Sequence, residues 1–438
     1  MQVKQYHVTV LSNFLLAYDK YSQTYNKSRI KASTYPDVFF LLDRSGLEPG
    51  IEKNLTLLNK LNYADNQLLV LETQVDSEML IDNELTGTGL GRYIESALIE
   101  VSAVYFISDG ELIEVRIEDA IAQAYHVVKP LFPGYHELMP RTVSILPIAK
   151  GCQASCDFCF SSASISQNQK QVRLDFERIQ TVLNMARAAG AMRAVITGGG
   201  EPGLLPRERL IRLIKMCREK YKKIVLITNG YFIANAVEPE VRLNELALAG
   251  LSVLSISRHH FDDVVSASIM NLQVDISGVF SAYHRLQKVT SSLSIRLICV
   301  LQKGGIDTEE KIAAYIQWAM EHGVTQICFK ELYVSSSTES MFYEQKANDW
   351  SYENQVSLKL LVNMAKINNW PVISDLPWGS PVYEVKGAGG CRVSVAAYTE
   401  PTVSWELQNR LCRSWNLMAD GRCYASLETL DSQVLPRS

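Results

Sequence analysis

Long apolar runs, a surplus of positive charge and low-complexity stretches are all missing from this sequence of 438 residues. Because it has no window of about 18 uninterrupted apolar residues, the sequence predicts no membrane-spanning helix. The first 20 residues carry charges at Lys4, Asp19 and Lys20 and have no small-residue cleavage site, so no secretory signal is predicted. We therefore expect a cytoplasmic protein with no membrane partner.

The charge balance is slightly acidic. Lys and Arg number 43 against 47 Asp and Glu, which gives a formal net charge of -4. No global basic field attracts nucleic acid, so nucleic acid is not an expected partner. Hydrophobic residues make up 47% of the chain, enough for a well-buried core and too many for a disordered protein.

Nine cysteines, an odd number, argue against a disulfide framework in a chain without an export signal. Cys217 has apolar neighbours at helical spacing, and Cys299 and Cys328 fall in apolar runs, so core packing is expected for all three. The remaining cysteines include a tight cluster between residues 152 and 159, which core packing does not explain.

Residues 1–140 are predicted to form an α+β domain whose role the sequence does not reveal. Apolar runs at Gln5–Leu11 and Val38–Leu42 are typical of strands. A hairpin is predicted over Ala103–Ile117, with its turn at Ser108-Asp109-Gly110. No chemical motif occurs in this region, and a proline-containing stretch before residue 135 ends it.

Residues 141–335 alternate short apolar runs with longer amphipathic ones. The apolar runs are rich in Val, Ile and Leu, as expected of strands that are buried on both faces. They are Val143–Ile148, Ala194–Thr197, Ile224–Thr228, Val253–Ser257, Ile295–Leu301 and Thr325–Lys330. The alternation predicts an α/β fold with a parallel sheet and right-handed crossovers, either an open barrel or a flat doubly wound sheet.

Helical segments are predicted between these strands. The apolar face of one helix is marked by Phe176, Ile179, Val182, Leu183 and Ala186, and that of another by Leu210, Leu213, Ile214 and Cys217. Asp307 with Glu310 three residues later is typical of a capping box that opens a helix over Lys311–His322. Residues 336–438 are predicted to form a short C-terminal extension, with a helix near Gln355–Ile367 and a hairpin at Ala419-Asp420-Gly421.

The cysteine cluster has the spacing C-x3-C-x2-C, formed by Cys152, Cys156 and Cys159 directly after the first predicted strand of this region. Three thiolates on one short loop indicate a metal or cluster site. Structural zinc usually has four protein ligands in two pairs, and no partner pair follows at such spacing. A [4Fe-4S] cluster held by three cysteines instead leaves one iron open to a ligand.

With Phe158 before the last cysteine, this loop resembles the signature of the radical S-adenosylmethionine (radical SAM) enzymes. A second motif, Gly198-Gly199-Gly200-Glu201-Pro202, follows the second strand and resembles the glycine-rich motif of that family, whose backbone meets the methionyl amine of SAM. Taken alone, such glycines are more often an ordinary tight loop. The resemblance implies a partial (β/α)6 TIM-like barrel, a [4Fe-4S] cluster and SAM, which is cleaved reductively to a 5'-deoxyadenosyl radical.

Polar residues at later strand ends fit the same picture. Asn229 ends the third strand, and Ser255 and Ser257 end the fourth, where barrel-like sheets gather ligand contacts. By resemblance they contact SAM, although Asn-Gly is also a common turn former. The fifth strand end, residues 301–305, suits a backbone that approaches adenine.

Arg258 and Glu331 are the candidate substrate contacts. Arg258 opens the run Arg258-His259-His260-Phe261-Asp262-Asp263, and its planar guanidinium suits carboxylates. A structural alternative for this run is capping of the next helix. The adjacent histidines have no third ligand at helical spacing, which argues against a metal there. Glu331 ends the sixth strand, and alternation allows either Lys330 or Glu331 to point inward.

Many relatives of this type carry auxiliary clusters in a C-terminal extension. This chain has Cys412 and Gly421, but Ser426 stands where a second cysteine of that pattern falls. Cys391 and Cys423 are the other late thiols, and no C-x2-C pair occurs in this tail. The resemblance therefore favours a single-cluster enzyme whose degenerate tail caps the barrel, with one partial auxiliary cluster as the alternative.

The sequence thus predicts a biosynthetic radical SAM enzyme that abstracts hydrogen from a small polar metabolite such as a sugar, nucleoside or amino-acid derivative. The expected electron donor is flavodoxin-like or ferredoxin-like. Modification of a ribosomally made peptide is the alternative within the family, and a non-catalytic iron-sulfur or zinc protein is the alternative outside it. Whether SAM is consumed or regenerated is left open.

Overall fold

The computed structural model describes residues 39–43, 68–73, 101–108, 111–114, 135–149, 151–159, 175–289, 292–334, 344–401, 406, 409–427 and 430–435. The chain divides into two compact units. The first comprises residues 1–134 with 399–409, and the second comprises residues 135–398 with 410–438.

The first unit contains a four-stranded sheet. Its strands, in sheet order, are β1 (Phe39–Asp43), β2 (Leu68–Thr73), β3 (Val101–Ser108) and β4 (Glu111–Glu114). β1 and β2 are parallel, and the other neighbours are antiparallel. The predicted strand at Val38–Leu42 and the predicted hairpin are therefore confirmed, whereas the strand predicted at Gln5–Leu11 lies outside the described residues.

The second unit contains six neighbouring parallel strands, and every apolar run predicted as a strand forms one of them. They are β5 (Met139–Ile145), β6 (Arg193–Ile196), β7 (Lys223–Thr228), β8 (Val253–Ser257), β9 (Ser294–Leu301) and β10 (Gln326–Glu331). They lie side by side in the order of the sequence, from β5 to β10.

This order decides between the two architectures that the sequence left open. A doubly wound sheet reverses its strand order at a switch point, so its helices cover both faces. Here every right-handed crossover moves one strand in the same direction, which puts the helices on one face and curls the sheet around the other. The core of the chain is therefore a partial (β/α)6 barrel.

Nine helices in the described residues belong to this unit. They are α1 (Phe176–Ala188), α2 (Arg207–Lys220), α3 (Tyr231–Ala234), α4 (Pro239–Leu248), α5 (Asp263–Met270), α6 (Ile276–Gln287), α7 (Glu309–Glu321), α8 (Gln345–Asn354) and α9 (Lys359–Ile367). Side-chain caps begin several of them: Asp175 accepts from two backbone N–H groups of α1, and Asp262 does the same for α5. The predicted apolar faces of α1 and α2 are buried, except that Phe176 at the start of α1 is half-buried.

The capping box predicted at Asp307 is wrong by one residue. Thr308 is the N-cap of α7 and accepts from the backbone N–H of Lys311 at 3.3 Å. Asp307 instead accepts from the Gly304 N–H at 2.8 Å and forms an ion pair with the Lys311 ammonium at 2.6 Å. Both residues are strong capping types, and the turn at Gly304 decides between them.

Residues after 335 extend the sheet at both edges. β11 (Val372–Asp375), β12 (Pro381–Lys386) and β13 (Arg392–Tyr398) continue it beyond β10, to which β13 is parallel. β14 (Leu411–Leu417), β15 (Cys423–Tyr424) and β16 (Gln433–Leu435) continue it beyond β5, to which β14 is parallel. The hairpin predicted at residues 419–421 is confirmed by the antiparallel pair β14–β15.

The two faces of the sheet differ in chemistry. Phe329 lies on the helix-covered face, where its ring is 5.4 Å from that of Tyr315 in α7. The opposite, inner face carries more polar side chains, among them Ser255, Arg296 and Lys330. No helix in the described residues is long and apolar enough to cross a membrane.

Candidate active site

The loop between β5 and α1 brings the three clustered thiols together. Cys152 is exposed, and Cys156 and Cys159 are half-buried. Burial raises the pKa of Cys156 to about 12, and the neighbouring Cys159 and Cys152 sulfurs add to that rise. The Cys152 Sγ accepts from the Ala154 N–H at 3.3 Å, and the Cys159 N–H donates to the Cys156 carbonyl at 3.0 Å.

The thiols fit a cluster better than a single ion. Within the described residues, no three His, Cys, Asp or Glu side chains are close enough to share one metal ion. A cubane cluster binds each thiolate through a different iron, so it needs wider spacing than zinc. Burial raises the pKa of Cys152 and of Cys156, and the sulfurs beside them add to that rise, so a cation bound at this loop would favour the thiolate form of both.

The glycine loop packs directly against the cysteine loop. The Glu201 N–H donates to the Gly151 carbonyl at 2.8 Å. A Cβ on Gly200 would overlap the Gly151 carbonyl oxygen and lie 2.6 Å from the Ile148 Cγ2. The missing side chain therefore permits a backbone contact that the sequence motif alone only suggested.

Glu201 links the ends of two strands. Its buried carboxylate accepts from the Thr228 hydroxyl at 2.5 Å, the Asn229 N–H at 2.8 Å and the Gly203 N–H at 2.7 Å. Burial raises the pKa of Glu201, and the three hydrogen bonds oppose that rise. The carboxylate thus fixes the glycine loop against the end of β7.

Asn229 connects this network to the thiols. Its Nδ2 lies 3.5 Å from the Cys152 Sγ and donates to the Gln153 Oε1 at 3.1 Å. Its Oδ1 accepts from the Tyr231 N–H at 2.9 Å, which holds the amide in place. The structure therefore brings together the first three motifs predicted from the sequence, and adds Gln153, which the sequence did not single out.

The cysteine loop is also held from the β8 side. Phe158 packs edge-on against His259 with ring centroids 5.1 Å apart, and its ring lies 6.1 Å from Trp350. The Ser155 N–H donates to the Met270 carbonyl at 3.0 Å. Sequence reasoning missed Trp350, since it lies far along the chain in α8 and no local motif surrounds it.

His259 is neutral and structural. Burial and the neighbouring Arg258 charge lower its pKa to about 4. Its Nδ1 accepts from the Val300 N–H at 3.2 Å, so the ring ties the end of β8 to β9. A metal at this histidine pair was not expected from the sequence, and this contact gives His259 a packing role.

Arg258 turns toward the helix layer. Its Nη2 pairs with the Asp263 carboxylate at 2.5 Å and donates to the Phe261 carbonyl at 3.2 Å, and the guanidinium carbon lies 5.5 Å from the Trp318 ring centroid. These contacts match the structural alternative for this run. A substrate contact by Arg258 stays a prediction.

The remaining candidates lie at the ends of β8 and β10. Ser255 is fully buried on the inner face, where its Oγ accepts from the Arg296 Nε at 2.8 Å. Ser257 is half-buried two residues further along the same face. The Glu331 Oε1 accepts from the Leu358 N–H at 2.5 Å and the Ser357 hydroxyl at 3.1 Å, which anchors the start of α9. Contacts of all three with a cofactor or substrate stay predictions.

Comparison with known proteins agrees with this geometry. A family model described as the Radical SAM superfamily matches residues 146–328. GTP 3',8-cyclase from Aquifex aeolicus is 26% identical over 293 residues, which cover 66% of this chain and 82% of that protein.

Solved structures are matched at lower similarity. SuiB from Streptococcus suis bound to S-adenosylmethionine is 14% identical with a TM-score of 0.44, over 72% of this chain and 67% of that chain. Another SuiB structure is 19% identical with a TM-score of 0.35, over 52% of this chain, and the chain spans 48% of its length. Coproporphyrinogen III oxidase from Escherichia coli is 16% identical with a TM-score of 0.36, over 56% of this chain and 54% of that chain.

The assignment depends on the family model and the cyclase relative rather than on the structural matches. The matched span contains the cysteine loop, the glycine loop and all of the strand ends that contact them. The chain is therefore an enzyme of the radical SAM superfamily, which uses a [4Fe-4S] cluster and S-adenosylmethionine as cofactors.

Proposed function

We propose that Cys152, Cys156 and Cys159 bind the [4Fe-4S] cluster and that the enzyme abstracts hydrogen from a small polar metabolite. The single observation that carries the ligand assignment is the packing of the glycine loop and Asn229 against the cysteine loop. When bound, the cluster supplies one electron that cleaves SAM to the radical that removes the hydrogen.

The chain's own residues position these groups. Gly198, Gly199 and Gly200 are proposed to present backbone polar groups to SAM, and Gly200 and Glu201 pack against Gly151, next to Cys152. Pro202 ends that loop. The Asn229 Nδ2 lies within reach of the Cys152 sulfur, where a hydrogen bond stabilises thiolate charge. Phe158, packed on His259, holds the loop and excludes water on that side.

A small-molecule substrate is supported by the cyclase relative, whose name gives a nucleotide as the molecule that it acts on. The proposed SAM and substrate contacts are Ser255, Ser257, Arg258 and Glu331. Arg258 has to break its ion pair with Asp263 before it can bind a substrate. A flavodoxin-like or ferredoxin-like protein is the proposed electron donor, and a cytoplasmic location and a biosynthetic role are part of the same proposal.

A single cluster is supported by the placement of the late thiols. Cys412 and Cys423 are fully buried, and Cys423 pairs in register with Leu417, which lies five residues after Cys412 on β14. Five strand residues correspond to about 17 Å, too far for one cluster. Cys391 is exposed, with its Sγ 3.8 Å from the Met320 sulfur. We propose that residues 336–438 cap the barrel without an auxiliary cluster.

Anaerobic reconstitution tests the proposal. The wild-type chain is expected to bind about four iron and four sulfide ions and to release 5'-deoxyadenosine from SAM with dithionite. Cys156→Ala is expected to lose iron and cleavage together, whereas the matched control Cys391→Ala keeps both. Cleavage retained in Cys156→Ala would refute the ligand assignment, and iron lost in Cys391→Ala would refute the single-cluster proposal.

Substrate class is tested separately. Deuterium transfer into 5'-deoxyadenosine is measured with pools of labelled sugars, nucleosides, amino acids and short peptides. Transfer from a non-peptide pool supports the proposal, and transfer from peptides alone contradicts it.

A further inference from the structure

A group of positive side chains lies on the inner face of the barrel, at the opposite ends of the strands from the cysteine loop. Arg193 is the first residue of β6 and pairs in register with Lys223, the first residue of β7. Further along β7, Ile227 pairs with Ser255, and Ser255 pairs with Arg296 of β9. Side chains alternate along strands and in-register neighbours share a face, so Arg193, Lys223 and Arg296 point to the same side.

These charges act on one another and on Arg141 of β5. Burial lowers the pKa of Arg141 and of Arg193. The charge of Arg193 lowers that of Arg141 further, the charge of Arg296 lowers that of Arg193, and Tyr398 opposes both shifts. Partial burial also lowers the pKa of Lys223, and the charges of Arg193 and Arg296 lower it further. Arg141, Arg193, Lys223 and Arg296 form what we call the cation cluster.

Negative partners are absent from the cation cluster within the described residues. No carboxylate there lies within 4.0 Å of a side-chain nitrogen of these four residues. The Nη1 of Arg141 is buried and has no hydrogen-bond partner. The Nε of Arg296 donates to a neutral hydroxyl, that of Ser255.

Aromatic rings stand beside the cation cluster. The guanidinium carbon of Arg141 lies 5.7 Å from the Trp378 ring centroid, and the Trp378 and Tyr398 rings are 6.3 Å apart in an edge-on arrangement. The Lys330 ammonium lies 4.2 Å from the Tyr398 ring centroid. Lys330 lies near the end of β10, four residues further along the sheet than the level of Arg296.

Such an arrangement destabilises the folded chain when no ligand is bound, because partly buried like charges repel one another. A bound oxyanion removes this cost. Three guanidinium groups offer paired N–H donors that match phosphate oxygens, and the number of cations suits a group with several negative charges. We propose that the cation cluster binds the phosphate or polyphosphate group of a small molecule.

The site is separate from the one at the thiols. Lys223 begins β7, and Asn229, which contacts Cys152, follows its end. Six strand residues correspond to about 20 Å, so the anion lies far from the cysteine loop on the same inner face. A ligand that reaches both places has to be elongated, and a shorter one occupies the cation cluster alone.

Isothermal titration of the cluster-loaded full chain with inorganic tripolyphosphate tests this inference without SAM, so it is independent of SAM cleavage. We expect saturable binding that weakens as salt rises. Arg193→Gln with Arg296→Gln is expected to weaken binding by about tenfold or more, and Lys223→Gln, on an exposed side chain, to weaken it less. The control is Arg209→Gln, on the exposed face of α2, which is expected to bind like the wild type.

Two further measurements make the outcome decisive. If the arginines only support the fold, the double variant melts at a lower temperature and binds tripolyphosphate as well as the wild type, which overturns the proposal. A wild-type chain without saturable binding, or an Arg209→Gln chain weakened equally, also overturns it. ATP is titrated in parallel: binding tighter than that of tripolyphosphate assigns the phosphates to a nucleotide-like molecule, and equal binding assigns them to the anion alone.

Discussion

Individual residues at the candidate site divide into those that face the thiols and those that hold the others in place. Asn229 belongs to the first group, since its amide reaches the Cys152 sulfur. Glu201 and His259 belong to the second, because every contact described for them is with protein atoms. The sequence motif does not make this distinction, which requires the hydrogen-bond partners.

Glu201→Gln tests the holding role of the carboxylate. The amide puts an NH2 group where an acceptor is needed, so at least one of three buried donors loses its partner. We expect the free energy of unfolding to fall by about 1–3 kcal/mol and SAM cleavage to slow, while iron binding persists. Urea unfolding and iron analysis measure the two effects.

The control for this change is Glu208→Gln, an exposed glutamate in the first turn of α2. It is expected to leave both quantities unchanged. Unaltered stability in Glu201→Gln would contradict the role inferred from the three hydrogen bonds.

The lowered pKa of His259 predicts that the stability of the folded chain depends on pH. Its pKa is about 4 in the folded chain against 6.5 ordinarily, so the unfolded chain takes up the proton first as pH falls. The stabilisation is complete above pH 6.5 and is lost as the pH falls towards 4. Between pH 8 and pH 5, His259 is expected to account for about 2 kcal/mol of lost unfolding free energy.

Urea unfolding at both pH values measures this effect. His259→Gln is expected to remove that share of the pH dependence, while His136→Gln, an exposed histidine, leaves it in place. A variant at residue 259 with the wild-type pH dependence would show that this histidine does not stay neutral in the folded chain.

At the scale of elements, the six strands predicted from apolar runs all form. Val253–Ser257 matches β8 at both ends, while Val143–Ile148 is displaced from β5, which begins at Met139. Met139 and Arg141 carry no strand signal of their own, and β5 reaches them because β14 pairs alongside. The edges of strands therefore depend on neighbours that the local sequence does not contain.

Contact between the glycine loop and the cysteine loop gives a prediction at this scale. Gly200→Ala places a methyl group against the Gly151 carbonyl, so the loops have to move apart. We expect SAM cleavage to fall by about 100-fold, since displacement of a positioning group by about 1 Å has that order of effect. Cleavage is measured as 5'-deoxyadenosine released per chain.

Gly389→Ala is the matched control. Gly389 has a φ of 71° and no atom within 4 Å of its Cβ position, so its cost is local backbone strain alone. Wild-type cleavage in Gly200→Ala would mean that the close approach of the two loops is dispensable.

For the whole molecule, the strands after residue 335 complete a sheet that the six parallel strands begin. β14 covers the free edge of β5, and a cluster of Leu146, Met418, Tyr424 and Leu427 packs beside it. The sequence predicted residues 336–438 as a cap, and its role over the barrel opening stays a prediction. The topology shows in addition that these residues supply strands to both edges of the sheet.

Leu417→Ala tests that contribution. Leu417 is 2% exposed and lies opposite Ile145 in the register of β14 with β5. Its truncation is expected to lower the free energy of unfolding by about 2–5 kcal/mol, measured by urea unfolding. Leu430→Ala, where the leucine is 56% exposed, is expected to change it little. Equal effects in the two variants would show that β14 does not stabilise the barrel.

The sequence by itself indicated the chemistry of the site, because the spacing of the three thiols and the run of glycines are local features that can be identified without the fold. It also determined which segments become strands, since Val, Ile and Leu runs demand burial wherever they are placed. Tertiary structure alone decided three things. Strand order made the sheet a barrel, the closing strands came from the far end of the chain, and four cations from separate strands came close enough to act on one another. Each depends on contacts between residues distant in sequence, which local patterns do not encode.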